Sequence, residues 1–335
     1  MPKLKYDFDV TSIGDATLDT FVKIEDATVL CNLNKDLCWL CLNYADKIPV
    51  QRLDHSLGGN ACNLAVGSAR LGLKTAIYSV IGDDDTANRI WERFKSEGVN
   101  LAYMKRLKRK ATNYSVIVNF RSQRTILSYH VKRNYCFPKL PSSRFIYLTS
   151  MGEGCEKIYP RLLKYIKKNK SKLCFGPGTY QRKSGFKTLE KLIHETYLFI
   201  SNKEEAISIF DPNGNGVKEG KAGIKQLLHR VFRYGPELVV ITDGNKGAYA
   251  HDGKKYYYAP IINVPVLEPT GAGDSFSTGL ISALALNKEF DEALRWATFN
   301  STSVIQKIGA QAGLLDSKSM KTYLRKYRSY KVKSI

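Results

Sequence analysis

Acid is scarce in this chain. Its 335 residues hold 31 Asp and Glu against 52 Lys and Arg, a formal net charge of +21. Long apolar runs are missing too. None approaches the ~18 residues needed to span a bilayer, and Met1–Asp9 is charged where a secretory signal would be apolar. A cytoplasmic protein with no membrane partner is therefore expected. The seven cysteines are odd in number and scattered, which argues for reduced thiols. Cys38 and Cys41 form one C-x-x-C with Cys31 nearby, but a zinc site needs four ligands and no second pair follows. Apolar strand positions are the expected role of these three. No G-x-x-x-x-G-K-[ST] loop occurs, and no G-x-G-x-x-G closes the first strand, which weakens a dinucleotide-binding reading. Zinc fingers and RNP motifs are absent as well. The basic clusters at Lys105–Lys110, Lys157–Lys172 and Lys318–Lys333 fall on segments with helical patterning, so they read as solvated faces. They imply attraction for anionic substrates such as nucleotides rather than a specific nucleic-acid partner.

What is present is ordinary for a globular chain, with 43% hydrophobic and 25% charged residues. The length allows one large domain with an appendage, or two domains. Phe8–Ile13 reads as a buried first strand ending at Gly14. A strand-rich stretch runs from about Phe21 to Arg52, with a turn at Asn32–Asp36. Helices are expected at Ala61–Leu71 and Thr86–Glu97, with a strand at Ala76–Ile81 between them. Tyr114–Phe120 and Thr125–Val131 read as a hairpin around Arg121-Ser122-Gln123. Strands and helices then alternate regularly up to Arg328. Such alternation implies α/β architecture: a mainly parallel central sheet flanked by helices on both faces. The two β-rich stretches would pair apart from it as a small β-sheet lid. The expected division is residues 1–20, 53–112 and 132–335 for the large domain, with 21–52 and 113–131 for the lid.

Glycines gather at three points: Gly58-Gly59, Gly244 with Gly247, and Gly271 with Gly273. Each lies at a strand end or helix start, where open parallel sheets place ligands. Pro269-Thr270-Gly271-Ala272-Gly273-Asp274 is the most telling. A small-residue turn opening a helix leaves backbone N–H groups unpaired and attracts anions. Asp274 is open to two readings, a helix cap or a carboxylate that accepts a hydroxyl proton beside a phosphoryl cradle.

These segments together resemble the ribokinase-like (PfkB) family of sugar and nucleoside kinases. Gly58-Gly59-Asn60-Ala61-Cys62-Asn63 resembles the family's first signature and Thr270–Phe276 its second. Ile81-Gly82-Asp83-Asp84, Arg124-Thr125-Ile126-Leu127, Asn202-Lys203-Glu204-Glu205 and Thr242-Asp243-Gly244 match further elements in family order. The resemblance covers about residues 8–316 and implies ATP- and Mg²⁺-dependent phosphorylation of a hydroxyl. It implies Asp274 as catalytic base and the amides of Gly271, Ala272 and Gly273 as anion hole. Asp19, Gly58, Gly59 and Asn63 would contact the acceptor, a sugar in preference to a nucleoside. Trp39, Tyr44 and Tyr129 would serve a nucleoside base or the lid core. Asn202, Thr242, Gly244, Gly247 and Asn300 would serve the nucleotide, with Glu205 organising Mg²⁺ through water. Asn202 and Glu205 read equally well as a capping box, Asp19 as a turn residue, and Gly58-Gly59 as a tight turn. Glu268-Pro269-Thr270 departs from the family's Asp-Thr-Thr. In cation-activated members that Asp helps hold a monovalent ion, so activation of this chain by one stays open. The lid's free edge implies a possible homodimer.

Overall fold

The computed structural model describes residues 6–33, 37–121, 123–212 and 220–335, without the Lys221 side chain. Its central sheet grows from Phe8–Ile13, the apolar run expected as the first strand. Among the described residues the sheet runs Lys333–Ser334, Tyr256–Ala259, Ala248–His251, Leu238–Thr242, Leu198–Asn202, Lys172–Phe175, Ser143–Leu148, Phe8–Ile13, Thr75–Tyr78. From Leu238–Thr242 to Thr75–Tyr78 all neighbours are parallel. The first three strands are antiparallel additions.

Successive strand residues face opposite layers, and both layers are apolar. Leu148, Phe175 and Ile241 pack with the helices Tyr159–Asn169, Phe186–His194 and Gly220–Phe232. Tyr147, Cys174 and Val240 pack with Ala272–Ala285 and Phe290–Val304. In Ala272–Ala285, Leu280 and Ile281 are fully buried. Each such side chain contributes about 1.5–3 kcal/mol. Packing therefore holds this helix in place without a side-chain cap at its first turn, and none is present.

The second sheet has four strands in the order Gln123–Tyr129, Asn113–Phe120, Thr17–Ile24, Val50–Gly58. Its middle pair is parallel and the outer pairs antiparallel. These strands take in Thr17–Thr20 and Leu53–Gly58, outside the lid limits drawn from sequence. Their effect is to carry Asp19 and Gly58 into the site on the second sheet.

Several expectations change. Thr28–Cys31 and Cys38–Cys41 form a separate two-stranded ribbon rather than joining the lid sheet. Neither strand is buried, so these cysteines are not apolar core. Cys31 and Cys38, directly opposite in that ribbon, form a disulfide in place of the expected free thiols. The turn expected at Asn32–Asp36 extends over residues 34–36, outside the described residues, as does Ser122 of the hairpin turn. Lys105–Lys110 lies on a short strand and turns, not on a helix.

Candidate active site

The helix Ala272–Ala285 opens on Gly271, which caps it in the left-handed region at φ 86°. A Cβ on Gly271 would meet the Ala310 Cβ at 2.5 Å, whereas one on Gly273 would meet nothing within 4 Å. Glycine is thus required by backbone shape at Gly271, and Gly273 borders open space. Of the three amides expected to form the anion hole, that of Ala272 donates to the Pro269 carbonyl at 3.2 Å. Those of Gly271 and Gly273 have no hydrogen-bond partner among the described residues. The free pair sits where the helix dipole favours an anion.

Asp274 lies in the same first turn. Its Oδ2 accepts from Asn63 Nδ2 at 2.8 Å, and Asn63 Oδ1 in turn accepts from Gln311 Nε2 at 3.0 Å. Burial raises the Asp274 carboxyl to about 6, with Asp19 and Glu205 adding and the Asn63 bond opposing. A base poised near neutrality suits proton transfer at physiological pH. The cap reading fails here, because Gly271 occupies the capping position.

Asp19 stands at the centre of the second sheet between Ser56 and Ser115. Burial pushes it up to about 6 as well, with the Ser115 hydroxyl opposing. Glycines 58 and 59 give room rather than only turning the chain. A Cβ at Gly58 would strike Asp19 Oδ2 at 2.0 Å, and one at Gly59, where φ is +96°, the Asp15 carbonyl at 2.3 Å. Asp15 itself was not expected. Its Oδ2 accepts from the Tyr135 hydroxyl at 2.7 Å and the Gly152 N–H at 2.9 Å, while its buried Oδ1 has no partner. Burial raises its pKa. The Cys62 thiol, buried beside all three acids, is pushed up by burial first and then by Asp19, Asp15 and Asp274. Asp15 directly follows Gly14 at the carboxyl end of the first strand, a ligand-binding position in open α/β sheets. That position was the signal available. Gln311 had none.

On the other side of the turn lies a cavity of about 450 Å³. Gly273, Ala272 and Pro269 form one wall, Thr242, Gly244, Asn245 and Gly247 another, and Ile262, Val264, Phe276 and Ile305 its apolar body. The structure thus brings Thr242, Gly244 and Gly247 together with the turn. Asn300 is corrected. It is fully buried, donates to the Ser275 carbonyl at 2.7 Å and accepts from the Leu315 N–H at 2.9 Å. Both ends of its amide are used inside the protein, and its helix offers Thr298, Ser301 and Thr302 to the cavity instead. Asn202 and Glu205 form the capping box in full, each accepting from the other's N–H. Burial raises Glu205, opposed by that N–H and by Arg182, which approaches at 3.7 Å. Glu268, at the mouth of the turn, accepts from Thr270 N–H and hydroxyl and from Asn119 Nδ2 at 2.9 Å, with Arg124 at 4.0 Å. Among the described residues no group of three or more His, Cys, Asp or Glu is placed to hold a metal.

Two free amides at a helix start, with a cavity on one side and a cluster of acids on the other, fit a phosphotransferase acting on an alcohol group. The family described as pfkB family carbohydrate kinase matches residues 21–317, and the chain belongs to it. An uncharacterized sugar kinase of Archaeoglobus fulgidus is 25% identical over 257 residues, covering 74% of this chain and 98% of that protein. The structure of an Arabidopsis thaliana ribokinase complexed with ribose and ATP superposes with a TM-score of 0.77 at 21% identity, covering 94% of this chain and 98% of that one. A Burkholderia thailandensis nucleoside kinase in complex with inosine superposes with a TM-score of 0.75 at 17% identity, covering 97% and 98%. The chain is a ribokinase-family sugar or nucleoside kinase. Among its described residues no helix is long and apolar enough to cross a membrane.

Proposed function

We propose that the chain transfers the γ-phosphoryl group of ATP to a hydroxyl of a small sugar. The observation that carries this reading is the turn itself. Two unpartnered N–H groups, of Gly271 and Gly273, stand between the 450 Å³ cavity and the carboxyl of Asp274. ATP fits the cavity by its apolar body and polar rim. Asp274 takes the proton of the attacking hydroxyl, and the two amides hold the charge that develops on phosphoryl oxygens. Asp19 and Asn63 orient the acceptor, with Asp15 behind them. An acid-rich pocket suits a polyol, because each carboxylate accepts only and each hydroxyl can donate. The aromatic side chains that would stack on a nucleoside base, Trp39, Tyr44 and Tyr129, are all exposed.

Mg²⁺ commonly keeps several waters and takes only one or two carboxylates beside substrate phosphates. Glu205 fits that role. It is a single carboxylate near enough to Asp274 to raise its pKa, with one oxygen on the Asn202 N–H and the other facing Arg182. Bound there, the ion would neutralise charge on the phosphates. The exposed face of the second sheet supports a homodimer formed through that sheet.

Pure protein with ATP and Mg²⁺, offered a panel of sugars and nucleosides, should release ADP with a sugar. Turnover confined to nucleosides would overturn the acceptor assignment.

A further inference from the structure

Gln311 is 2% exposed, and its Oε1 has no hydrogen-bond partner. A buried amide with an orphaned oxygen is destabilising where an apolar side chain would not be. What the residue does instead is donate Nε2 to Asn63 Oδ1, while Asn63 donates Nδ2 to Asp274 Oδ2. The amide of Asn63 is thereby fixed in one sense, oxygen toward Gln311 and nitrogen toward Asp274.

We propose that Gln311 is a positioning residue that sets the proton affinity of Asp274 by holding Asn63 in this orientation. The inference rests on the base reading of Asp274. The Asn63 bond holds the Asp274 carboxyl down against burial. A protonated Asp274 would be better served by the opposite orientation, with its O–H donating to Asn63 Oδ1. Gln311 opposes that flip, because a turned Asn63 would set its NH₂ against the Gln311 NH₂. Charge stays available on the base, and a proton once accepted is not trapped. The Gln311 backbone is itself anchored. Its carbonyl accepts from Arg70 Nη1 at 2.7 Å, and Arg70 makes a two-pronged pair with Glu97 at 2.6 and 2.9 Å.

The test is a titration of the Asp274 carboxyl by carbon-13 NMR in aspartate-labelled full-length protein, needing no acceptor. The resonance is assigned by its loss in Asp274→Asn. Gln311→Met keeps length and removes the donor. Gln311→Glu replaces the donor by an acceptor, which favours the flipped Asn63, and adds a negative charge. The Asp274 midpoint should rise by about one pH unit in Gln311→Met and further in Gln311→Glu. The melting temperature of Gln311→Met should not fall. In an Asn63→Ala background Gln311→Met should leave the midpoint alone, and Gln311→Glu should move it only by its added charge. Unmoved midpoints in folded variants would overturn the proposal, as would an equal Gln311→Met shift with and without Asn63. The base reading is tested separately by turnover of Asp274→Asn. Lost turnover there with unmoved midpoints sinks only the Gln311 role, and retained turnover sinks the base reading.

Discussion

At the scale of single residues the proposed reaction turns on Asp274 and the two glycines before it. Its raised carboxyl gives two linked expectations. As the proposed base, Asp274 would act in its deprotonated form, so turnover should fall as pH drops through about 6. Asp274→Asn should lower kcat by about 10²–10⁴ at pH 7.5. Stability runs the other way. The folded value lies above the ordinary 3.8, so the ionised form burdens the folded state, and stability is lost as pH rises from about 4 through 6. Asp274→Asn should therefore melt higher at pH 7.5, on the order of a few degrees, and the gain should vanish near pH 3.5. Equal melting of the two proteins at both pH values would contradict the buried-acid account. The glycines separate in the same way. Gly271→Ala meets Ala310 with φ positive and should cost about 1–3 kcal/mol of stability. Gly273→Ala meets no protein atom, so it should fold with near-normal stability, while its methyl would stand in the open space a phosphate needs to reach the Gly273 N–H and so cost about 10²-fold in turnover, as losing that donor would. Sequence reading treated both glycines alike, because a G-x-G spacing does not reveal which one carries positive φ. Asn300 misled for a related reason: its number in the helix does not say which face the amide takes.

Elements were more legible than residues. Apolar patterning located the helix Asp85–Ser96 and the strand Phe8–Ile13 closely, because the helix buries Ala87, Ile90 and Phe94 on one face and the strand ends in a continuous buried run, Val10–Ile13. The short helix Thr179–Lys183 escaped, since five residues carry no period. The ribbon Thr28–Cys31 with Cys38–Cys41 was placed in the lid because its residues are strand formers, and propensity says nothing about the partner. Contacts between elements were not legible at all, and one of them bears on the proposed site. Asn119 and Arg124 are directly opposite in the hairpin of the second sheet, and both reach Glu268 before the phosphate turn. The Arg124 contact is 4.0 Å long with a third of its side chain exposed, so it should contribute less than about 1 kcal/mol. The Asn119 bond goes to a buried carboxylate and should contribute about 1.5–3 kcal/mol. Asn119→Ala should therefore loosen the hairpin and raise the acceptor KM several-fold, and Arg124→Ala should do little. Hydrogen exchange across Gln123–Tyr129 with steady-state kinetics on both variants will check the order. A larger effect from Arg124→Ala would mean that the ion pair, not the amide, joins sheet to turn.

For the molecule as a whole, the second sheet has two unlike faces. Alternation sends Ser115, Ile117, Asp19 and Phe21 inward, where all are buried. The other face carries Leu127, Leu53 and Tyr129, exposed by 58, 57 and 57%, with Val116 and Val118 half-buried between them. The edge strand Gln123–Tyr129 is exposed along its whole length. An apolar face beside an open edge is an aggregation hazard unless something covers it. A second copy would do so with the surface the first one offers, because a two-fold interface uses the same patch twice. It would also stiffen the sheet that carries Asp19 to the proposed acceptor site. Sedimentation at several concentrations should show a dimer that weakens on dilution. Leu53→Lys with Leu127→Lys should shift the protein to monomer, lower its melting temperature and raise the acceptor KM while leaving the nucleotide KM nearly unchanged. Those residues lie on the face opposite Asp19 and touch neither site, so a change in KM would come through the sheet. A wild-type protein that sediments as a monomer at every concentration would refute the pairing, and the apolar face would then have to be covered from within the same chain.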